Sequence, residues 1–250
     1  MASGTAIVTG ASSGIGRELA RLLAADGHRL VLVARRSDSL DALAKELEGA
    51  RAIEADLADP STPARLAAEV PDVDVLVNNA GIGDFGPFAE ADLAKTMGLL
   101  QLNVGAVTEL TRRYLPGMLE RGHGKVLNLA STAAFQPGPL MAAYYASKAY
   151  VLSFSEAVAE EVRGSGVTVT ALCPGPTATG FQAGAEMEGS KLVRDRKLPT
   201  AAEVARAGYH AMQRGDVVAV VGARNRVLAA SIRFTPRPLV RRMVHRMQAT

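Results

Sequence analysis

TAIVTGASSGIGRELARLLAADG, residues 5–27, changes character twice. Residues 5–10 form a short aliphatic and β-branched run of the kind that makes a buried strand. Glycines at 10, 14 and 16 interrupt it. From there Ile15, Leu19, Leu22 and Leu23 fall on one helical stripe, and Gly27 is placed to stop the helix. Strand, glycine-rich turn and helix thus open the chain.

The same alternation continues outward. Further strand candidates are residues 29–34, 51–56, 73–79, 125–131, 167–173 and 217–222, with helix-compatible stretches between them. Thr200 and Glu203 stand at capping-box spacing before one such stretch. Strands that are almost wholly apolar are buried on both faces, as in a parallel sheet covered by helices. Seven of them alternating with helices predict an α/β fold: a single Rossmann-like, doubly wound domain, with a seven-stranded parallel sheet and helices on both faces. The expected organisation is a dinucleotide-binding and catalytic domain over residues 1–223, followed by a basic amphipathic C-terminal extension over 224–250.

Composition narrows the function classes. The chain has 250 residues, 48% of them hydrophobic, enough for one domain with a large core. It contains no apolar run long enough to span a bilayer. The strand pattern starts at Thr5, so no secretory leader is expected, and the one cysteine, Cys173, fits a reducing, cytoplasmic setting as a small buried residue. A net charge of +3 is too small to indicate a nucleic-acid partner. Its distribution is uneven, because residues 224–250 carry seven arginines and no acid. The four histidines lack ligand spacing, and no metal is expected.

The loop of Gly10, Ser12, Ser13, Gly14, Ile15 and Gly16 lets backbone approach a pyrophosphate at a helix N-terminus. At the end of the second strand stand Ala34, Arg35 and Arg36, where NAD-binding domains commonly carry an acid for the ribose hydroxyls. A guanidinium there can grip a 2′-phosphate through two charge-assisted bonds, so NADP(H) is the expected cofactor. Downstream, AAYYASKAY (142–150) places Tyr144 and Lys148 four apart on one helix face, with Tyr145 pointing elsewhere.

With these motifs in hand, the chain resembles the short-chain dehydrogenase/reductase family, from about Thr5 to Gly222. The resemblance implies that Tyr144 is the general acid or base, that Lys148 lowers its pKa and holds the nicotinamide ribose, and that Ser131 bonds the substrate oxygen. Counted from Tyr144 the family's serine lands on Ser131, whereas from Tyr145 both the serine and the lysine registers fail. Asn103 matches the helix asparagine expected to anchor a water leading to Lys148. Asp56 and Leu57 match the adenine contact, and Asn78 to Gly81, which supplies Asn79, Ala80 and Gly81, matches the segment after the fourth strand. Pro174, Gly175, Thr177 and Thr179 match the turn that holds the nicotinamide carboxamide. One departure is Ser13, where NADP-preferring relatives often have a base; the 2′-phosphate then depends on Arg35, aided by Arg36 and Ser12.

The implied activity is NADPH-dependent interconversion of an apolar ketone or aldehyde with its alcohol, by a homo-oligomer. Phe135, Leu140, Met141, Met187 and Leu192 are the expected pocket, with a lid over residues 180–198. Two other readings stand beside it: a catalytically silent dinucleotide-binding regulator, and a protein whose basic tail makes a peripheral membrane contact. For the tail, Leu239, Val240, Met243, Val244 and Met247 are expected on one helical stripe, opposite Arg241, Arg242, His245 and Arg246.

Overall fold

A computed structural model describes residues 4–35, 37–181, 185 and 198–248. All seven expected strands form: β1 (Thr5–Thr9), β2 (Arg29–Ala34), β3 (Arg51–Glu54), β4 (Val75–Asn78), β5 (Gly124–Leu129), β6 (Val167–Cys173) and β7 (Val218–Val220). They make one parallel sheet in the order β3-β2-β1-β4-β5-β6-β7. Several expected strands ran too far at their C-terminal ends. The residues at those ends, among them Gly10, Asp56, Asn79 and Ser131, belong instead to the loops of the carboxyl edge.

The strands sort their side chains by parity. Ala6 and Val8 of β1 face a core shared with α1 (Gly14–Ala25), α2 (Ser37–Glu46) and α7 (Ala201–Arg214). Ile7 points the other way, into a core made with α3 (Thr62–Glu69), α5 (Val107–Arg121) and α6 (Ala142–Glu161). Helix α4 (Leu93–Leu100) continues into α5 through a wider π-helical turn over Gln101–Ala106. Two local signals act as the sequence implied. Gly27 ends α1 at φ 81°, with the N–H of His28 bonded to Leu23 O. Thr200 and Glu203 form a reciprocal capping box at the start of α7.

The C-terminal extension folds as α8 (Ala223–Ile232) and α9 (Arg237–Gln248), with Pro238 in the first turn of α9. Ile232, Val240 and Val244 pack with Tyr145, Met141 and Ala133, and a Cβ on Gly175 would press on Asn225. The expected single apolar stripe is therefore divided: Val240 and Val244 are buried, whereas Leu239, Met243 and Met247 stay exposed.

Two helical glycines give opposite expectations. Gly208 of α7 lies against β6, where a Cβ would overlap the methyl groups of the fully buried Leu172. Gly98 of α4 has open space around the same position. Gly98→Ala should raise stability by about 0.5–1 kcal/mol through helix propensity. Gly208→Ala should lower it by about 1–3 kcal/mol through overpacking. Urea unfolding of both variants checks the pair of signs; a stabilising Gly208→Ala would refute the close approach of α7 to β6.

Candidate active site

Strand order reverses between β1 and β4, so their carboxyl ends open a crevice there. The two loops that leave it are laced together. Thr9 Oγ1 accepts from the N–H groups of Asn79 and Ala80, each at 3.0 Å, and donates to Val77 O at 3.1 Å. The Asn79 amide donates to Thr9 O at 2.8 Å and to Gly10 O at 3.2 Å. Gly10, at φ 65°, would place a Cβ 2.8 Å from Asn79 Nδ2, and one on Gly16 would lie 2.5 Å from Gly10 O. Only glycine allows that approach. No side chain caps the start of α1 at Ser13.

A cavity of about 790 Å³ runs over this loop to the far end of β5 and α6. Of the residues singled out in the sequence for catalysis or cofactor binding, all but Gly16, Asn103 and Arg36 line it. Gly16 sits beneath the loop, and Arg36 lies outside the described residues. Arg35 is exposed at one end of the cavity and makes no ion pair with a described residue. Asp56 lines it as well, with its carboxylate accepting from Ala58 N at 2.9 Å.

At the other end, α6 and the end of β5 bring Ser131, Tyr144 and Lys148 to one wall. Ser131 caps the turn Thr132–Phe135 by accepting from Ala133 N at 3.1 Å, which fixes its hydroxyl at the strand end. That hydroxyl also donates to Pro174 O at 3.4 Å, and its nearness to the Tyr144 phenol favours the ionised form of that group. Lys148 is buried, donates to Leu129 O at 2.7 Å, and holds its ammonium 5.8 Å from the Tyr144 ring centre. The sequence led us to expect a lowered Tyr144 pKa. Here burial dominates and pushes the phenol up to about 12, opposed by the neighbouring Ser131 hydroxyl. Burial acts in the reverse sense on Lys148, bringing it down to about 8.

Asn103 is fully buried in the π-helical turn. Its Oδ1 accepts from Ile82 N at 3.1 Å, and its amide donates to Ile82 O at 2.9 Å and Ser147 Oγ at 3.1 Å. Ser147 in turn donates to Tyr144 O at 2.7 Å. The asparagine side chain is thus committed to protein partners and ties α6 to the strand-end loop. Gly81 lies between the two groups: a Cβ there would stand 3.1 Å from Asn103 Oδ1 and 3.4 Å from Lys148 Nζ.

Tyr145, which the helical spacing points away from Lys148, is buried edge-on to Tyr144 at 6.1 Å. It also lines the cavity. Among the expected pocket residues, Met141 lines it too, whereas Phe135 packs with Ala130, Val151 and Cys173. Leu140 does not line the cavity and takes a left-handed conformation at φ 67°, its carbonyl accepting from Gly86 N at 2.8 Å. Met187, Leu192 and most of the expected lid lie outside the described residues. Phe181, whose ring is 5.2 Å from that of Tyr144, supplies apolar wall that the sequence did not mark. Also unmarked was a buried polar chain below the site: Asn78 donates to Asn128 at 2.8 Å and Thr111 at 3.1 Å, and Asn128 donates to Ser155 at 2.9 Å. The parallel register that sets Asn78 opposite Asn128 is a property of the paired strands and has no local signature.

Known proteins resemble this chain. Residues 4–188 match the profile of the family described as short chain dehydrogenase. A short chain dehydrogenase of Pseudocercospora fijiensis is 40% identical over 181 residues, 68% of this chain and 59% of that protein. This chain therefore spans about three fifths of that relative's length. The ketoacyl reductase HetN of a Nostoc species is 35% identical over 197 residues, 75% of this chain and 69% of its own. A solved short-chain dehydrogenase from Sphingobium yanoikuyae in complex with NADPH superposes with a TM-score of 0.83 at 32% identity, covering 92% of this chain and 94% of the other. A glycine loop at the strand-order reversal, a serine, tyrosine and lysine on one wall of its cavity, and the family match over most of the chain together make this protein an oxidoreductase of the short-chain dehydrogenase family, which binds a nicotinamide dinucleotide.

Proposed function

We propose that the protein is an NADPH-dependent reductase of an apolar ketone or aldehyde, acting reversibly on the alcohol. The observation that carries this reading is that one cavity is lined by Arg35 together with Ser131, Tyr144 and Lys148. A dinucleotide fits the residues present: the close packing that Gly10 and Gly16 allow sets the start of α1 at the cavity, which Ser12, Ser13, Gly14 and Ile15 line, and Asp56 and Leu57 line it with Arg35. Gly10, Ser12, Ser13, Gly14 and Ile15 would hold the pyrophosphate, Arg35 with Arg36 the 2′-phosphate, and Pro174, Gly175, Thr177 and Thr179 the nicotinamide end. Bound there, the cofactor supplies the hydride. Met141, Phe181 and Tyr145 give the substrate end its apolar character. In keeping with the family, the functional unit is proposed to be a homo-oligomer.

The chain's own part is proton transfer. With its pKa raised to about 12, Tyr144 carries its proton throughout the neutral range and is loaded as general acid for reduction. The tyrosinate left after transfer is stabilised by a charged Lys148, which makes Lys148 protonation a condition for fast reduction. Ser131 donates to the substrate oxygen as charge develops there. Asn103, acting through Ile82 and Ser147, is a positioning residue for this wall.

Tyr144→Phe should abolish turnover while leaving cofactor affinity intact, and Tyr145→Phe should retain most activity; single-turnover NADPH oxidation with a titrated cofactor distinguishes them, and the reverse outcome would refute the register. For pH, Lys148 is charged below its lowered pKa and neutral above it. The reduction rate should therefore hold steady below about 8 and fall as pH rises through that value. Lys148→Arg keeps its charge and should shift that alkaline limb upward; a limb unmoved by the substitution belongs to another group. For the cofactor, NADPH should be preferred over NADH, and Arg35→Ala should weaken NADPH binding alone by about 1.5–3 kcal/mol, roughly ten- to a hundredfold. Equal losses for both cofactors would show that Arg35 does not read the phosphate.

A further inference from the structure

Exposed large apolar side chains are concentrated in one short segment. Six of the twelve exposed large apolar side chains among the described residues fall within 227–247: Val227, Leu228, Phe234, Leu239, Met243 and Met247. Phe234, in the turn between α8 and α9, is 88% exposed, and Val227 is 68% exposed. Clustered exposed apolar side chains mark a surface that something covers. The inner faces of these helices are already covered, by Ile232, Val240 and Val244 against Met141 and Tyr145.

Charge identifies the covering partner. All seven arginines of residues 224–250 are exposed, and none forms an ion pair with a described residue. No acid occurs from residue 224 onward. On α9, Leu239, Met243 and Met247 recur every fourth residue beside the buried pair Val240 and Val244, and Arg242 and Arg246 border the exposed side of that stripe. A two-fold contact between copies would set this acid-free basic face against itself, which like-charge repulsion opposes. A surface that combines apolar depth with dense negative charge satisfies both features, and that is an anionic phospholipid leaflet.

We propose that α8, α9 and the turn at Phe234 form a preassembled seat for anionic membrane. Phe234, Leu239, Met243 and Met247 enter the boundary between headgroups and chains, and the arginines contact lipid phosphates. Neither helix is long and apolar enough to cross a bilayer, so the attachment is peripheral. The inner face anchors the seat to the catalytic domain, so binding needs no folding of a disordered tail. The site chemistry proposed above is not required for this inference.

Co-sedimentation of the full-length protein with vesicles tests it, using phosphatidylcholine with and without phosphatidylglycerol, at low and physiological salt. The protein should pellet with the anionic vesicles only, and less at higher salt. Arg241→Gln with Arg242→Gln should lower partitioning about thirtyfold, from the usual contribution of each basic residue at an anionic surface. Phe234→Ser with Met243→Ser should also release the protein. Both double variants alter only outward-facing positions, so unchanged melting temperature and turnover would show that the fold is kept. Truncation is a poorer test, because it also removes Val240 and Val244 from the core. The proposal is overturned if wild-type protein stays in the supernatant at low salt, or binds neutral and anionic vesicles equally. It is also overturned if light scattering shows that Phe234→Ser dissociates an oligomer, which would assign the face to a second copy.

Discussion

The backbone of Gly10 lies against Asn79 and Ala80 because no Cβ intervenes, and Thr9 Oγ1 fastens the contact by accepting two N–H groups from the opposite loop. Much else depends on this approach. It joins the ends of β1 and β4 at the point where strand order reverses, so the crevice has a fixed floor. It leaves the start of α1 facing the cavity, and it sets the course of the chain from Asn79 through Gly81 to Ile82. Ile82 is the residue that Asn103 grips from both backbone sides, and Asn103 carries the constraint through Ser147 to the helix of Tyr144. The two ends of the cavity are in this way parts of one hydrogen-bonded assembly.

Burial then decides the electrostatics. A phenol in water is a reluctant acid, and one surrounded by protein is more reluctant still, which accounts for the rise of Tyr144 to about 12. The same desolvation weakens the hold of Lys148 on its proton and brings it to about 8. Each group is thereby moved toward its neutral form. Under the proposed mechanism the pair resists separating charge until the substrate oxygen and Ser131 share it, so the proton stays on Tyr144 until the carbonyl is in place to receive it.

The fold was legible because its signals are local. Parity in each strand, the glycine turn at residues 10–16 and the capping box at Thr200 are each read within a few residues. The site was legible where a register links separate motifs, as between Ser131 and Tyr144. What escaped was long-range polar pairing. Nothing near Asn128 announces Asn78 and Ser155 as partners, and nothing near Asn103 announces Ile82, because these contacts exist only once the sheet and helices have docked. Leu140 is a miss of another kind. Its hydrophobicity pointed inward, but Leu140 takes a left-handed backbone conformation with its carbonyl accepting from Gly86, and it does not line the cavity. The tail's apolar stripe was recognised but not its division, since periodicity gives a face and not what packs on each edge of it.

That division places part of the site outside the family match. The match ends at residue 188, yet Val240 and Val244, which pack behind the cavity, come well after it. Tyr145 is held between Gly138, where any Cβ would overlap its ring, and the inner face of α9. Met141 is backed by the same two valines. The glycine loop, Ser131 and Lys148 are supported from within the sheet and its own helices, whereas Tyr144 also packs against the cluster that includes Val240 and Val244, and Gly175 lies against Asn225. The apolar wall depends on the tail. Under the proposed reduction, the reaction is specified by residues inside the match, while the shape of the substrate end is completed by a C-terminal segment whose opposite face carries the basic surface.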